Sequence, residues 1–194
     1  MPTLTADPLD ILLLHDQWAT RTLLEHCRTL THAQFHQRFE IGLGSLHDNL
    51  THIVGVLRRW TDRIDGRPLR PALAPIPQRP DIPHDGKDRT PDELLAMLAE
   101  AAPDLRAVAA RWRAAPGGFA TTIQLDWPRK EGGMNRHTFT RACCLTHVCC
   151  HGTAHRAQCV NMMRHLKLPG LSDNLPELDV IDWQAQTEAP PVPV

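Results

Sequence analysis

Seven prolines between Arg67 and Pro91 (Pro68, Pro71, Pro75, Pro77, Pro80, Pro83 and Pro91) exclude a helix interior from that stretch. Proline lacks the amide donor, and its ring clashes with the preceding turn, so the backbone there is expected to be extended. So long a connection suits a helical bundle in which the chain must travel between helix ends, and it can also carry a loop over a binding site. A proline-rich ligand of the SH3-binding kind is the other use of such a composition.

Helical periodicity flanks the proline stretch on both sides. From Pro8 to Leu30, the residues Leu12, Ala19, Leu23, Cys27 and Leu30 recur at helical spacing and predict a first helix with one apolar face. A polar, histidine-bearing segment, 31–40, follows, and Gly42 and Gly44 break the pattern. Ser45 is a suitable N-cap, and Asp48 in the first turn suits the helix dipole. A second helix then extends to Asp65 on the stripe Leu46, Leu50, Ile53, Leu57 and Trp60. Thr90, Pro91, Asp92 and Glu93 spell a helix start, with threonine as cap and proline in the first position. That third helix reaches Arg113 and stops at Pro116-Gly117-Gly118. Phe119 to Trp127 alternates well enough for a strand or two before Gly132-Gly133, and a fourth helix is expected from Thr138 to just before Pro169. The expected architecture is therefore all-α: one four-helix-bundle domain over 1–194, with a long proline-rich connection and a short β-hairpin before the last bundle helix.

Charge excludes one class of partner. A formal net charge of -1, with 22% charged residues of both signs interspersed, offers no electrostatic footprint for nucleic acid. No apolar run approaches the ~20 residues needed to span a bilayer. Asp7 and Asp10 precede only a short apolar run, Ile11 to Leu14, unlike a signal peptide, so a cytoplasmic protein is expected. Six cysteines include the adjacent pairs Cys143-Cys144 and Cys149-Cys150 within one predicted helix. Helix neighbours point about 100° apart, which suits reduced thiols better than a local disulfide.

Twelve histidines make position and spacing decisive. The fourth helix carries His147, His151 and His155 at four-residue intervals. Two imidazoles one turn apart can present nitrogens to a single point about 2 Å from each. On a helical projection, Cys144, Val148, Cys159, Met162 and Leu166 define the apolar face. His155 falls in its middle, His151 about 40° to one side and His147 another 40° further round. Buried neutral rings need partners, and a shared ion satisfies both, although hydrogen-bonded or exposed histidines also explain the spacing. Gly152 removes a side chain beside them, leaving room for a ligand or a neighbouring helix. His52 lies at the edge of the second helix's stripe, where periodicity allows a third ligand without requiring it.

The chain resembles the DinB-like, or YfiT-like, superfamily. The resemblance rests on 13–19 (Leu-Leu-His-Asp-Gln-Trp-Ala), on 44–53 (Gly-Ser-Leu-His-Asp-Asn-Leu-Thr-His-Ile) with Trp60, and on 147–158, from His147 through His151 and His155 to Gln158. The closing Leu178 to Trp183 is similar as well. This resemblance implies an up-down-down-up bundle and a divalent-metal site made by His52, His151 and His155. It assigns His147 to support of the ligands or to the substrate pocket. Cys149-Cys150 departs from the family, which often has an apolar residue and an asparagine there. Cys144 shares a face with His151 and is either an extra soft ligand or a small buried thiol.

Three histidines leave zinc, nickel or a similar ion with an open position, as in catalytic sites. A bound water supports hydrolysis and a bound thiolate supports thiol transfer. Relatives of this fold include thiol-dependent S-transferases, which points toward a small-molecule substrate and a low-molecular-weight thiol. His147 is the candidate proton acceptor. Asp48 is accounted for by capping, His47 by exposure and Arg156 by a structural ion pair. The competing reading is a non-catalytic metal-binding bundle with a structural or regulatory ion, and either protein is compatible with a homodimer.

Overall fold

The computed structural model describes residues 4–75, 82–129 and 131–187. Helices among them start where capping chemistry is supplied. Asp7 accepts the amides of Leu9 and Asp10 to open α1 (Pro8–Cys27), and Ser45 accepts the amide of Asp48 to open α3 (Leu46–Asp65). Thr90 and Glu93 close a reciprocal capping box on α4 (Pro91–Ala114). Thr140 caps α5 (Arg141–Leu166). Between α1 and α3, Thr31 and Gln34 form a second capping box on the short α2 (His32–Phe35), inside the segment expected only to be polar. A last helix, α6 (Val180–Thr187), returns to α1: Trp183 is buried and His15 Nε2 donates to the Leu178 carbonyl at 2.8 Å. No helix among the described residues is long and apolar enough to cross a membrane.

Four long helices form the bundle, and side-chain pairs fix their directions. Arg113 near the end of α4 meets Asp7 and Asp10 at the start of α1, while Arg28 just past α1 meets Asp92 at the start of α4, so these two run antiparallel. Arg111 and Asp65, both near C-terminal ends, join α4 to α3 in parallel. Along α3 and α5, His52 meets His151 and Trp60 meets His147, which is antiparallel. The bundle is therefore up-down-down-up over α1, α3, α4 and α5. Its core is built from Leu23, Leu24, Leu50, Val54, Leu94, Val108, Leu145 and Met162. Pro103 lies within α4 on its exposed side, where solvent can satisfy the carbonyl it leaves without a donor.

Three boundaries differ from expectation. The first helix ends at Cys27 and not Leu30, and its buried face is Leu13, Asp16, Ala19, Thr20, Leu23, Leu24 and Cys27; Leu12 is 46% exposed. Ala19, Leu23 and Cys27 are buried as expected, and the face also takes in two polar core positions, Asp16 and Thr20. Among the described residues one strand, β1 (Thr122–Pro128), precedes Gly132-Gly133, within the one or two expected but starting at Thr122 and not Phe119; its antiparallel partner β2 (Met134–Thr140) follows, in the register Thr122↔Thr140. Both glycines adopt positive φ, 88° and 81°, which makes the turn. The fourth bundle helix consequently starts at Arg141, since Thr138 is in β2.

The described part of the proline-rich connection is non-helical, while Pro77 and Pro80 lie outside the described residues. It is tied back on itself, the Ala72 amide donating to the Pro83 carbonyl and the Asp85 amide to the Ala72 carbonyl. Leu73 is buried against Gly55 of α3, where an added Cβ would meet its side chain at 3.4–3.7 Å, an ordinary van der Waals contact.

A buried ion pair joins α1 to α5. Arg156 Nη1 donates to Asp16 Oδ1 at 2.5 Å and to Thr20 Oγ1 at 3.1 Å, and Nη2 donates to Thr153 Oγ1 at 2.9 Å. Gly152 makes the space: a Cβ there would lie 2.6 Å from Asp16 Oδ1. Removing one partner strands a buried charge. Asp16→Ala is therefore expected to lower the unfolding free energy by about 3–5 kcal/mol in urea titration, against a change within about 0.5 kcal/mol for exposed Leu12→Ala.

Candidate metal centre

Helix spacing places His151 and His155 one turn apart on α5, and antiparallel packing brings His52 of α3 to them. One ring nitrogen from each of the three lies within 4.8 Å of the other two. His52 Nε2 and His151 Nε2 are 3.1 Å apart. The ring centroids of His155 lie 4.9 Å from His52 and 4.5 Å from His151.

His155 also has a fixed tautomer. Its Nδ1 faces Asn49 Oδ1 at 3.0 Å and Gln158 Oε1 at 2.8 Å. Asn49 Nδ2 donates to the Ser45 carbonyl at 2.8 Å, which orients the amide with its oxygen toward the ring. Nδ1 must then carry the proton and donate, leaving Nε2 as the nitrogen with a free lone pair. A histidine oriented by an acceptor on its other nitrogen is the usual support for a metal ligand. Asn49 is fully buried, and sequence reasoning assigned it no role. The signal was an amide inside the apolar stripe of α3, three residues before His52.

Burial keeps these rings neutral. Desolvation, with the neighbouring imidazoles adding to it, pushes His151 down to about 3 and His52 to about 4. His155 is lowered by desolvation, against the opposing bond from Gln158. Three neutral imidazoles thus offer lone pairs at neutral pH without giving up a proton. Tetrahedral ligands on bonds of 2.0–2.1 Å lie about 3.3 Å apart, close to the His52–His151 separation. The donor set fits a divalent ion such as zinc or nickel.

A cavity of about 1080 Å³ opens beside His52 and His151. Trp60 and Val56 of α3, Leu73 from the proline-rich connection, and Leu125 and Met134 of the hairpin contribute to its largely apolar wall. The connection does, then, pass over a candidate binding site. His147 lies at this cavity, its ring 5.5 Å from His151 and 4.8 Å from Trp60, outside the three-nitrogen group. Partial desolvation lowers its pKa.

Other sequence candidates have different places. Cys144 is in the core and desolvation raises its thiol to about 11, so it is a packed, protonated thiol. Cys149 is likewise buried, and their neighbours Cys143 and Cys150 are exposed, as the angle between helix neighbours requires. His47 is buried, not exposed: it stacks on His36 and meets the edge of Phe35. The Asp48 amide donates to Ser45 Oγ, and the Asp48 carboxylate pairs with Arg38 and His47. Arg156 makes the structural ion pair expected of it.

An up-down-down-up helical bundle with a three-histidine group able to hold a metal ion defines the class. Residues 1–179 match the model of the DinB family, and the chain belongs to that family. No curated protein matches the sequence.

The depressed histidines set a pH dependence for the metal-free protein. Below the unfolded value of about 6.5 the unfolded chain takes up protons that folded His52 and His151 refuse. Unfolded protein then binds more protons, so stability is fully present above about pH 6.5 and falls as pH drops toward 4. The urea midpoint of chelator-treated protein should fall across this window, and His151→Gln should flatten the fall.

Proposed function

We propose that this protein is a metal-dependent enzyme acting on a small molecule, by S-transfer from a low-molecular-weight thiol or by hydrolysis. The observation that carries the reading is the convergence of three neutral imidazoles, two of which, His52 and His151, line a large, mostly apolar cavity. His52, His151 and His155 would hold one zinc or nickel ion. Bound there, the ion supplies Lewis acidity, lowering the pKa of a coordinated thiol or water and polarising a carbonyl.

The chain's own residues supply the rest. Asn49 and Gln158 hold His155 in the tautomer whose Nε2 lone pair is available. The apolar wall around Leu73, Leu125 and Val56 accepts the body of an uncharged electrophile and excludes water from it. His147, with its pKa lowered, is neutral at pH 7 and takes a proton at a ring nitrogen on the cavity side. The relation of this fold to thiol-dependent S-transferases favours thiol transfer over hydrolysis.

The test combines elemental analysis of untagged protein with turnover of acyl, epoxide and other electrophilic substrates in the presence of candidate thiols. His151→Ala is expected to lose bound metal and turnover together. Asn49→Ala should bind the ion about 10–100-fold more weakly. His147→Ala should keep the ion and lose about 10²–10⁴ in turnover. Full turnover in metal-free His151→Ala would contradict the proposal, and a metal-loaded wild type inert to every substrate, yet losing much of its melting temperature on chelation, would favour a structural ion.

A further inference from the structure

A second histidine group lies at the opposite side of the first turns of α3. Its members come from three segments: His32 and His36, spaced by four on α2 and its cap; His47 in α3; and Asp88 just before α4. The three imidazoles form a stack. His32 lies on His36 at 4.2 Å and 24°, and His36 lies on His47 at 4.2 Å and 25°. The Asp88 carboxylate runs along one edge of this stack, 2.8 Å from His32 Nε2 and 3.1 Å from His36 Nε2.

The hydrogen-bond pattern separates the roles of these rings. Both nitrogens of His47 have neighbours: Nδ1 donates to Asp48 Oδ1 at 3.1 Å, and Nε2 lies 3.4 Å from the Arg89 amide and 3.4 Å from Asp88 Oδ1. His47 is thereby a fixed platform beneath His36. His36 Nε2, by contrast, is buried and has no hydrogen-bond partner, even with a carboxylate oxygen 3.1 Å away. Burial and the adjacent His47 lower the pKa of His36, which favours the neutral ring. A nitrogen buried beside a carboxylate without a bond between them is an unfavourable arrangement that a cation between the two would relieve.

We propose that His32, His36 and Asp88 form a second divalent-cation site, the exposed His32 ring turning out of the stack so that two imidazole nitrogens and one carboxylate hold a zinc-like ion. One ligand atom from each lies within 4.8 Å of the other two. The mixed nitrogen and oxygen set suits zinc and its first-row neighbours. His32 and Asp88 are exposed, so the ion enters directly from solvent and water completes its shell. The bond would join residues 56 positions apart, tying α2 to the segment that leads into α4. That segment also carries Arg89, which anchors the end of the proline-rich connection through Asp85 and the Leu73 carbonyl. Occupancy would clamp the connection whose Leu73 forms part of the cavity wall. This inference is independent of the proposed activity and of the three-histidine site.

Equilibrium dialysis of untagged, full-length protein against micromolar zinc, read by elemental analysis, tests it. The double variant His32→Ala, Asp88→Asn should bind one equivalent fewer than wild type. Both side chains are exposed, so the metal-free double variant should melt with the wild type. His151→Ala should retain the equivalent that the double variant loses. A double variant with the wild-type zinc content overturns the proposal, whatever His151→Ala binds.

Discussion

The rotation of α5 about its own axis is set by its core face, including Leu145 and Met162, and by one buried polar contact, the Arg156 guanidinium against Asp16 of α1. A charge in the bundle interior is tolerated only where its donors are met, and Asp16, Thr20 and Thr153 meet them here. Gly152, one turn earlier, leaves the gap in which the pair sits. Successive helix residues point about 100° apart, so directing Arg156 at α1 directs His155 at α3. His151 follows one turn away, on the same side. The geometry of the three-histidine group thus follows from the packing of that core face together with an ion pair made on another face of the same helix.

Much of this was legible in the sequence, and the misses share a cause. Caps at Ser45 and Thr90 located the starts of α3 and α4 because a hydroxyl ahead of an apolar stripe has a specific bonding task. His151 and His155 were visible from their four-residue spacing. His52 came to attention mainly through family resemblance, since its place at the edge of a stripe decides nothing by itself. Asn49 and Asp16 were overlooked in their roles because hydrophobic periodicity discounts polar residues, and both occupy core positions where a hydrogen bond replaces apolar contact. The same discount left Asp16 and Thr20 out of the predicted face of α1, where Ala19, Leu23 and Cys27 were read correctly and Leu12 stood in place of Leu13. His47 was misplaced because its burial depends on α2, a helix of one turn that leaves almost no periodic trace.

The connection between α3 and α4 also has a physical logic. Its described prolines keep the backbone out of helix, and ion pairs fasten its start to the bundle, Arg67 reaching Asp104 and Arg70 reaching Asp62. Fastened at that point, it is held where Leu73 can close one side of the cavity. The hairpin closes another through Leu125 and Met134. Bundle helices supply the candidate ligands, and the two non-helical insertions supply the enclosure. Such a division lets a family keep one metal-binding framework while the surrounding walls change the molecule admitted.

The central claim is that His52, His151 and His155 share one metal ion. Anomalous diffraction from crystals of untagged, metal-supplemented protein, recorded on both sides of the zinc and nickel absorption edges, tests it most directly. The account predicts a peak bonded to all three imidazoles at about 2.0–2.1 Å. Crystals in which those rings remain hydrogen-bonded to one another, with no anomalous density within bonding reach of them, would contradict it.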